Sequence, residues 1–322
     1  MGLERGLSSR PIEREQVVAW ADLVEAIRVA DGHDEVLGAE DLLEDFDGPA
    51  YDFERGSIGV YAGDAMVGHA TLTLRAEADP VDQVFLWGGV HPGYRGRGIG
   101  AWLVSWAEQA ASELHSERFA GQPLTMRCNC PAHVPGAIAL FEAHGYKQTR
   151  WFRTMVRDLA EPLPAGHLAA GVEILPFTQE RSADAHLIRN EAFRDHWGSI
   201  PLSDDEWKHF ISYSAFRPAF SFVAYAAGRP AGVVISHEYD SFTKVKGRRE
   251  TYIVTVGTLA SARKQGIATA LLASAMAAAR ADGCESASLE VDADSPTGAL
   301  GLYQRIGFTV TDTWVTLMKD MT

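Results

Sequence analysis

Apolar residues recur along this chain in two successions that mirror each other. Residues 84–90, VFLWGGV, have the length and content of a buried strand, and His91-Pro92-Gly93-Tyr94 ends it. After Gly98, the residues Ile99, Trp102, Leu103, Trp106, Ala107 and Ala110 fall on one helical face. The pattern predicts a strand, a tight turn and a helix whose stripe covers a core. It returns at 252–279, with an apolar strand from Tyr252 and then Ile267, Ala270, Leu271, Ala275 and Ala278 on one face of a helix.

The two successions belong to a duplication. Arg95 and Arg263 are 168 residues apart, and so are Gly98 and Gly266. LFEAHGY at 140–146 answers LYQRIGF at 302–308, and VYAGDAMVG at 60–68 answers VAYAAGRPAG at 223–232. Four matched blocks in one order mean two copies of a unit of about 150 residues. The segment LAEPLPAGHLAAG, 159–171, holds two prolines, two glycines and no periodic pattern. It predicts one domain over 1–158, a linker over 159–171 and a second domain over 172–322. Each copy reads as helix, hairpin, strand, helix, strand, helix, strand, with Gly63-Asp64 and Gly228-Arg229-Pro230 as hairpin turns. That order places both copies in the α/β (α+β) class, each a mixed central sheet flanked by helices.

Packing alone does not account for the glycines at the strand-to-helix turn. Gly96, Gly98 and Gly100 leave room for backbone N–H groups to converge on an anion, and the helix that follows adds unpaired amides and a positive dipole end. Arg95 and Arg97 add charge beside that nest. The second copy keeps Arg263, Lys264, Gln265, Gly266, Ile267 and the small Ala268. One such turn is also what close helix–sheet packing produces. Two, as R-x-x-G-x-G and R-x-x-G-x-A after apolar strands, point to phosphate cradles. No G-x-x-x-x-G-K-[ST] is present, and no acidic residue stands where a ribose clamp needs one.

These loops, with the LYxxxGF segment, resemble the GCN5-related N-acetyltransferase (GNAT) family, and the resemblance covers nearly the whole chain as a tandem pair. It is most similar to the mycothiol synthase-like paired-domain type of actinobacteria. The resemblance implies that the loops hold the pyrophosphate of acetyl-CoA, and that Gly88, Gly89 and Val90 in one copy and Val256, Gly257 and Thr258 in the other pair with the pantetheine arm. It also implies that a tyrosine in the LYxxxGF segment protonates the departing thiolate. Tyr303 stands there in the second copy and Phe141 in the first, so the second copy is expected to be catalytic and the first degenerate. For the base, strand residues before the loop face the acceptor in this fold, which makes Glu250 the leading candidate and Glu238 the runner-up; a water chain can replace either. Ser295 stands where the family often carries Asn, and a hydroxyl there still makes one hydrogen bond.

Composition narrows the picture. Lys+Arg is 29 against Asp+Glu 43, a net charge of −14, the opposite of what phosphate neutralisation of a nucleic acid requires. No uninterrupted apolar run has the length of a membrane span, and the N-terminus has no signal h-region. Three cysteines, Cys128, Cys130 and Cys284, fit a reducing compartment, so the cytoplasm is expected. Cys128 and Cys130 read as small buried side chains, and no metal is implied.

The expected partner is a small-molecule amine, bound by a monomer or homodimer. Two features bear on the acceptor. Ten carboxylates and no Lys or Arg fall within 31–54, either a solvated face or a funnel for a cation. In the second copy, Asp195, His196 and Trp197, with Phe193 and Trp207 nearby, are candidates for an aromatic acceptor wall; a core role serves Phe193 and Trp207 equally well. The leading function is acetyl transfer from acetyl-CoA to a primary amine by direct attack in a ternary complex. A non-catalytic acyl-CoA sensor and a protein N-acetyltransferase are the alternatives.

Overall fold

A computed structural model describes residues 2–78, 80–164, 168–194, 196–295 and 298–321. In chain order the elements are β1 (Leu7–Arg10), α1 (Val17–Asp31), α2 (Ala39–Phe46), β2 (Ser57–Ala62), β3 (Ala65–Thr73), β4 (Asp82–Val90), α3 (Ile99–Arg118), β5 (Leu124–Pro131), α4 (Pro135–Ala143) and β6 (Lys147–Asp158). They continue with β7 (Val172–Pro176), α5 (Ser182–Ala192), α6 (Asp204–Phe210), β8 (Phe222–Ala226), β9 (Arg229–His237), α7 (Asp240–Lys246), β10 (Glu250–Thr258), α8 (Ile267–Ala281), β11 (Ser286–Asp292), α9 (Ala299–Arg305) and β12 (Thr309–Met321).

The chain forms two compact units, Met1–Trp151 with Thr313–Thr322, and Phe152–Asp312. In the first, β1 to β4 pair antiparallel in sequence order and β5 joins β4 in parallel. In the second, β7 to β10 pair antiparallel and β11 joins β10 in parallel. The predicted stripes are the cores. Ile99, Leu103, Ala107 and Ala110 of α3 are buried with β3 and β4, and Ile267, Ala270, Leu271 and Ala275 of α8 are buried with β9 and β10. Trp102, Trp106 and Ala278 pack at the core margins, half-buried. Cys128 and Cys130 are core residues of the first unit.

The division differs from the one the linker suggests. The last strand of each unit comes from the other half of the sequence. In the first unit, 314–321 of β12 lie antiparallel on β5, from Trp314 opposite Pro131 to Met321 opposite Leu124. In the second, 152–158 of β6 lie antiparallel on β11, from Phe152 opposite Asp292 to Asp158 opposite Ser286. Pairing and burial fix the exchange together: Val315 and Leu317 are fully enclosed in the first core and Met155 in the second. Among the described residues no helix is long and apolar enough to cross a membrane.

Leu317→Ala is therefore expected to weaken the first unit by about 2–5 kcal/mol, although it follows the whole second unit in sequence. Hydrogen exchange should show α3 losing protection while α8 keeps it; the reverse pattern would contradict the exchange.

Candidate active site

Each unit opens where its two parallel strands part. β4 and β5 pair only from Asp82–Leu124 to Phe85–Arg127, yet the strands run on to Val90 and Pro131. β10 and β11 pair only from Glu250–Ser286 to Tyr252–Ser288 before running on to Thr258 and Asp292. Beyond those points one edge of Leu86–Val90, and of the end of β10, has no strand beside it among the described residues. The residues expected to meet a pantetheine arm, Gly88 to Val90 and Val256 to Thr258, all lie in these parted stretches.

The turns that follow match residue for residue. Arg95 has φ −67° and ψ 157°, and Arg263 has φ −66° and ψ 158°. Gly98 and Gly266 both have φ 80° and cap their helices without a side chain, which leaves the first-turn amides of α3 and α8 to an outside acceptor. Gly96 takes φ 76°; its counterpart Lys264 takes φ 64°, a left-handed conformation that costs a non-glycine residue about 1–2 kcal/mol. The second loop holds the same shape despite that strain. The first arginine of each also braces it: Arg95 Nε donates to the Val90 carbonyl at 3.1 Å, and Arg263 Nε to that of Thr258 at 3.3 Å.

The loops differ in what their cations face. Arg95 grips Asp31 at 2.6 and 2.9 Å, and Arg97 grips Glu4 at 2.8 and 3.0 Å. Among the described residues Arg263 and Lys264 have no carboxylate partner. Gln265, Ile267 and Ala268 complete the second turn, with Ile267 buried under it. Both turns fit a diphosphate in backbone shape; the second also has its charge free.

The first unit's opening is a cavity of about 520 Å³, within the range of small-ligand sites. It is lined by Gly88, Gly89 and Val90, by the Arg95–Gly100 turn, by Cys130 and by Phe141. Phe141 packs edge-on against Tyr146 at 5.2 Å, as Tyr303 does against Phe308 at 6.0 Å. The two copies thus carry the same aromatic pair with the hydroxyl on opposite members. The Tyr146 hydroxyl is turned into the core, 3.6 Å from the Met126 sulfur. Tyr303 is buried in the cluster that contains Ile267 and Leu271, and burial raises its pKa above the usual phenol range.

The carboxylates expected as bases are both engaged. Glu238 is buried, with Arg249 at 2.6 and 3.0 Å and Arg217 at 3.2 Å, and Arg249 reaches on to Asp282 at 2.6 Å. The Arg249 hydrogen bond, with help from Arg217, holds Glu238 below the usual carboxylate range, so it is a poor proton acceptor. Glu250 opens β10 in its paired stretch and accepts from the hydroxyls of Ser286 at 2.6 Å and Ser288 at 2.7 Å.

On the acceptor side, Phe193 lies over Gly257, where an added Cβ would come within 3.2 Å of its ring. His196 packs on Phe193 at 5.4 Å, and Trp197 faces Phe152 at 6.3 Å. Asp195 lies outside the described residues. Trp207 is a core residue, stacked on His186 and donating to Ser182. Ser295 lies in the turn after β11, its amide donating to the Asp292 carbonyl at 3.1 Å.

Two histidines were not singled out as site residues by sequence. His237, beside Glu238, is ringed by Phe210, Tyr213 and Phe216, and burial, aided by Arg217, pushes its pKa down to about 4. His69 lines the first unit's cavity. A histidine inside an otherwise apolar strand, VGHATL, was the available signal.

The geometry agrees with comparisons to known proteins. The acetyltransferase (GNAT) family model matches residues 183–308, and a GNAT domain model matches residues 55–148. A mycothiol acetyltransferase of Thermobispora bispora is 30% identical over 259 residues, covering 78% of this chain and 79% of that protein. One of Geodermatophilus obscurus is 29% identical over 309 residues, covering 91% of each. A GCN5-related N-acetyltransferase structure from Sphaerobacter thermophilus aligns with TM-score 0.81 and 27% identity over 99% of this chain and 97% of that one. A tandem GNAT protein from the clavulanic acid biosynthesis pathway has TM-score 0.68 and 18% identity over 98% of each, a likeness of fold.

Two outcomes are expected. Lys264→Gly should raise stability by about 1 kcal/mol by releasing the left-handed strain, while weakening CoA binding most at low salt; a fall in melting temperature would contradict the strain. Glu238→Gln should cost about 2 kcal/mol, since it uncouples a buried, partly solvated ion-pair network. Because the folded pKa of Glu238 is lowered, its contribution is present above the unfolded value of about 4.3 and is lost as pH falls through the folded one. Acid unfolding curves should accordingly be shallower in the variant than in the wild type.

Proposed function

The chain belongs to the GCN5-related N-acetyltransferase family and is an acetyl-CoA-dependent N-acetyltransferase that acts on the amine of a small molecule; from that premise we propose that the second unit performs the transfer, in a ternary complex, with Tyr303 as the acid. The observation that carries this reading is the exchanged aromatic pair. Only the second unit places a phenol at the LYxxxGF position, and only its loop has free cations among the described residues.

In this reading Arg263, Lys264 and the first-turn amides of α8 hold the diphosphate, and the open edge of Val256 to Thr258 aligns the pantetheine arm. Acetyl-CoA supplies an activated acyl group. The amine nitrogen attacks the thioester carbon, the N–C bond forms, and the C–S bond breaks with its electron pair leaving on sulfur. Tyr303 gives its proton to that sulfur; the raised phenol pKa keeps it protonated until then. With Glu238 committed to two guanidinium groups and Glu250 to two serine hydroxyls, the ammonium proton passes to water. Phe193, His196 and Trp197 wall the acceptor.

The relatives' names suggest the acceptor class. Two relatives are mycothiol acetyltransferases, so a primary amine on a thiol-bearing small molecule is the acceptor proposed here. Three buried, unpaired cysteines support a reducing cytoplasm as the place of work.

Free CoA release across a panel of amines tests the proposal. Tyr303→Phe should lower kcat by about a hundredfold or more, in the range of a lost general acid, with little change in KM for acetyl-CoA. Unchanged turnover would remove Tyr303 from the mechanism. For an acceptor of ordinary amine pKa near 10.4, kcat/KM should rise about tenfold per pH unit across neutrality, with no descending limb below that pKa. A bell centred near pH 7 would point instead to a side-chain base.

A further inference from the structure

The first unit's cavity contains a fixed hydrogen-bond donor that the transfer reaction does not use. His69 lies on β3 opposite Gly89 and is 2% exposed. Trp20 Nε1 donates to its Nδ1 at 3.1 Å. An indole N–H can only donate, so Nδ1 presents a lone pair and the ring proton sits on Nε2. Burial pushes the His69 pKa down to about 3, so the ring is neutral wherever the protein is folded and active. Trp20 at 5.8 Å and Trp87 at 4.7 Å hold the ring edge-on and fix its direction.

The Nε2 edge faces Gly89: a Cβ added there would lie 3.7 Å from Nε2. Both residues line the cavity, and among the described residues Nε2 has no protein acceptor. The cavity is walled from both faces of the sheet, by Ile99 and Leu140 on the α3 side and by Ile27 and Trp87 on the α1 side. It therefore runs through the gap between β4 and β5. A thread anchored at the Arg95–Gly100 turn and laid through that gap would reach the α1 side, where His69 is.

We propose that the first unit's cleft reads a carbonyl oxygen through the Nε2–H of His69, and so holds an acyl thioester of CoA in preference to free CoA. The inference rests on the reading that this cleft accepts CoA. A neutral donor among apolar walls selects a neutral oxygen acceptor. An ammonium offers no lone pair, and a free thiol is a weak acceptor. Phe141 has no proton to give a leaving thiolate, so the bound thioester is retained rather than consumed. The first unit is thereby a gauge of acylated against free CoA, built beside a working transferase.

The test uses the full chain carrying Ala268→Glu, which places a carboxylate in the second unit's phosphate turn and leaves only the first cleft to bind. Calorimetry with acetyl-CoA, free CoA and S-ethyl-CoA, a thioether of equal length without the carbonyl, should show acetyl-CoA binding about five- to tenfold more tightly than either, the worth of one hydrogen bond. In 15N-histidine spectra the Nε2 resonance of His69 should move with acetyl-CoA and stay with S-ethyl-CoA, a comparison that needs no change at His69. Adding His69→Phe should erase the preference while free CoA affinity holds, and His69→Gln, which keeps an acceptor for Trp20 and a donor for the ligand, should restore part of it. Equal affinities and an unmoved resonance would overturn the role of His69 and leave the cofactor cleft standing. Binding of none of the three would overturn the cleft and the inference together.

Discussion

A strand that parts from its neighbour inside a fold leaves amide and carbonyl groups that need new partners, and both clefts depend on that demand. β4 keeps β3 along one edge as far as Val90 but loses β5 after Phe85; β10 keeps β9 as far as Thr258 but loses β11 after Tyr252. The antiparallel neighbour holds the strand rigid while the parallel one gives it up. What remains is a row of donors and acceptors, broken in β10 by a register shift between Ile253 and Thr255, that can serve a guest whose own amides come at intervals. The glycine turn sits at the end of that row because the same strand feeds the helix whose amides face the anion.

The duplication lets one copy serve as a control for the other. Within the turns, backbone shape is the better preserved property: Lys264 keeps the conformation of Gly96 at an energetic cost, and the braces from Arg95 and Arg263 reach the same carbonyl position. Side-chain chemistry has drifted further. The hydroxyl has moved between members of one aromatic pair, and the loop cations are neutralised by Asp31 and Glu4 in one unit and free in the other. Chain geometry is set by many cooperating contacts, whereas a proton donor is one atom that one substitution removes.

Much of this was legible in the residues. The repeat, the strand–turn–helix units and the two turns follow from periodicity and glycine placement, because those are local properties. The strand exchange was not legible. Alternation along 152–158 and 314–321 says which side chains are buried, but a strand's partner is a non-local choice that alternation leaves open. The standing of Glu238 was hidden for a similar reason. Its neighbours in space, Arg217 and Arg249, are 21 and 11 residues away and turn a candidate base into part of an ion-pair network. The strand VGHATL marks His69 as unusual but not what it does, since the state of its ring depends on Trp20, 49 residues earlier.

The exchanged strands also impose an order on synthesis. On the ribosome, β1 to β5 emerge long before the strand that finishes their sheet, because residues 313–321 follow the entire second unit. At about 5–20 residues per second, the roughly 160 intervening residues take on the order of ten to thirty seconds to translate. Through that interval the nascent first unit carries an open β5 edge and an unfilled place for Val315 and Leu317. The second unit has its borrowed strand, β6, waiting before its own sheet begins. The half made first is thus the half completed last, and its exposed edge is the place where a chaperone, or a neighbouring nascent chain, has time to bind.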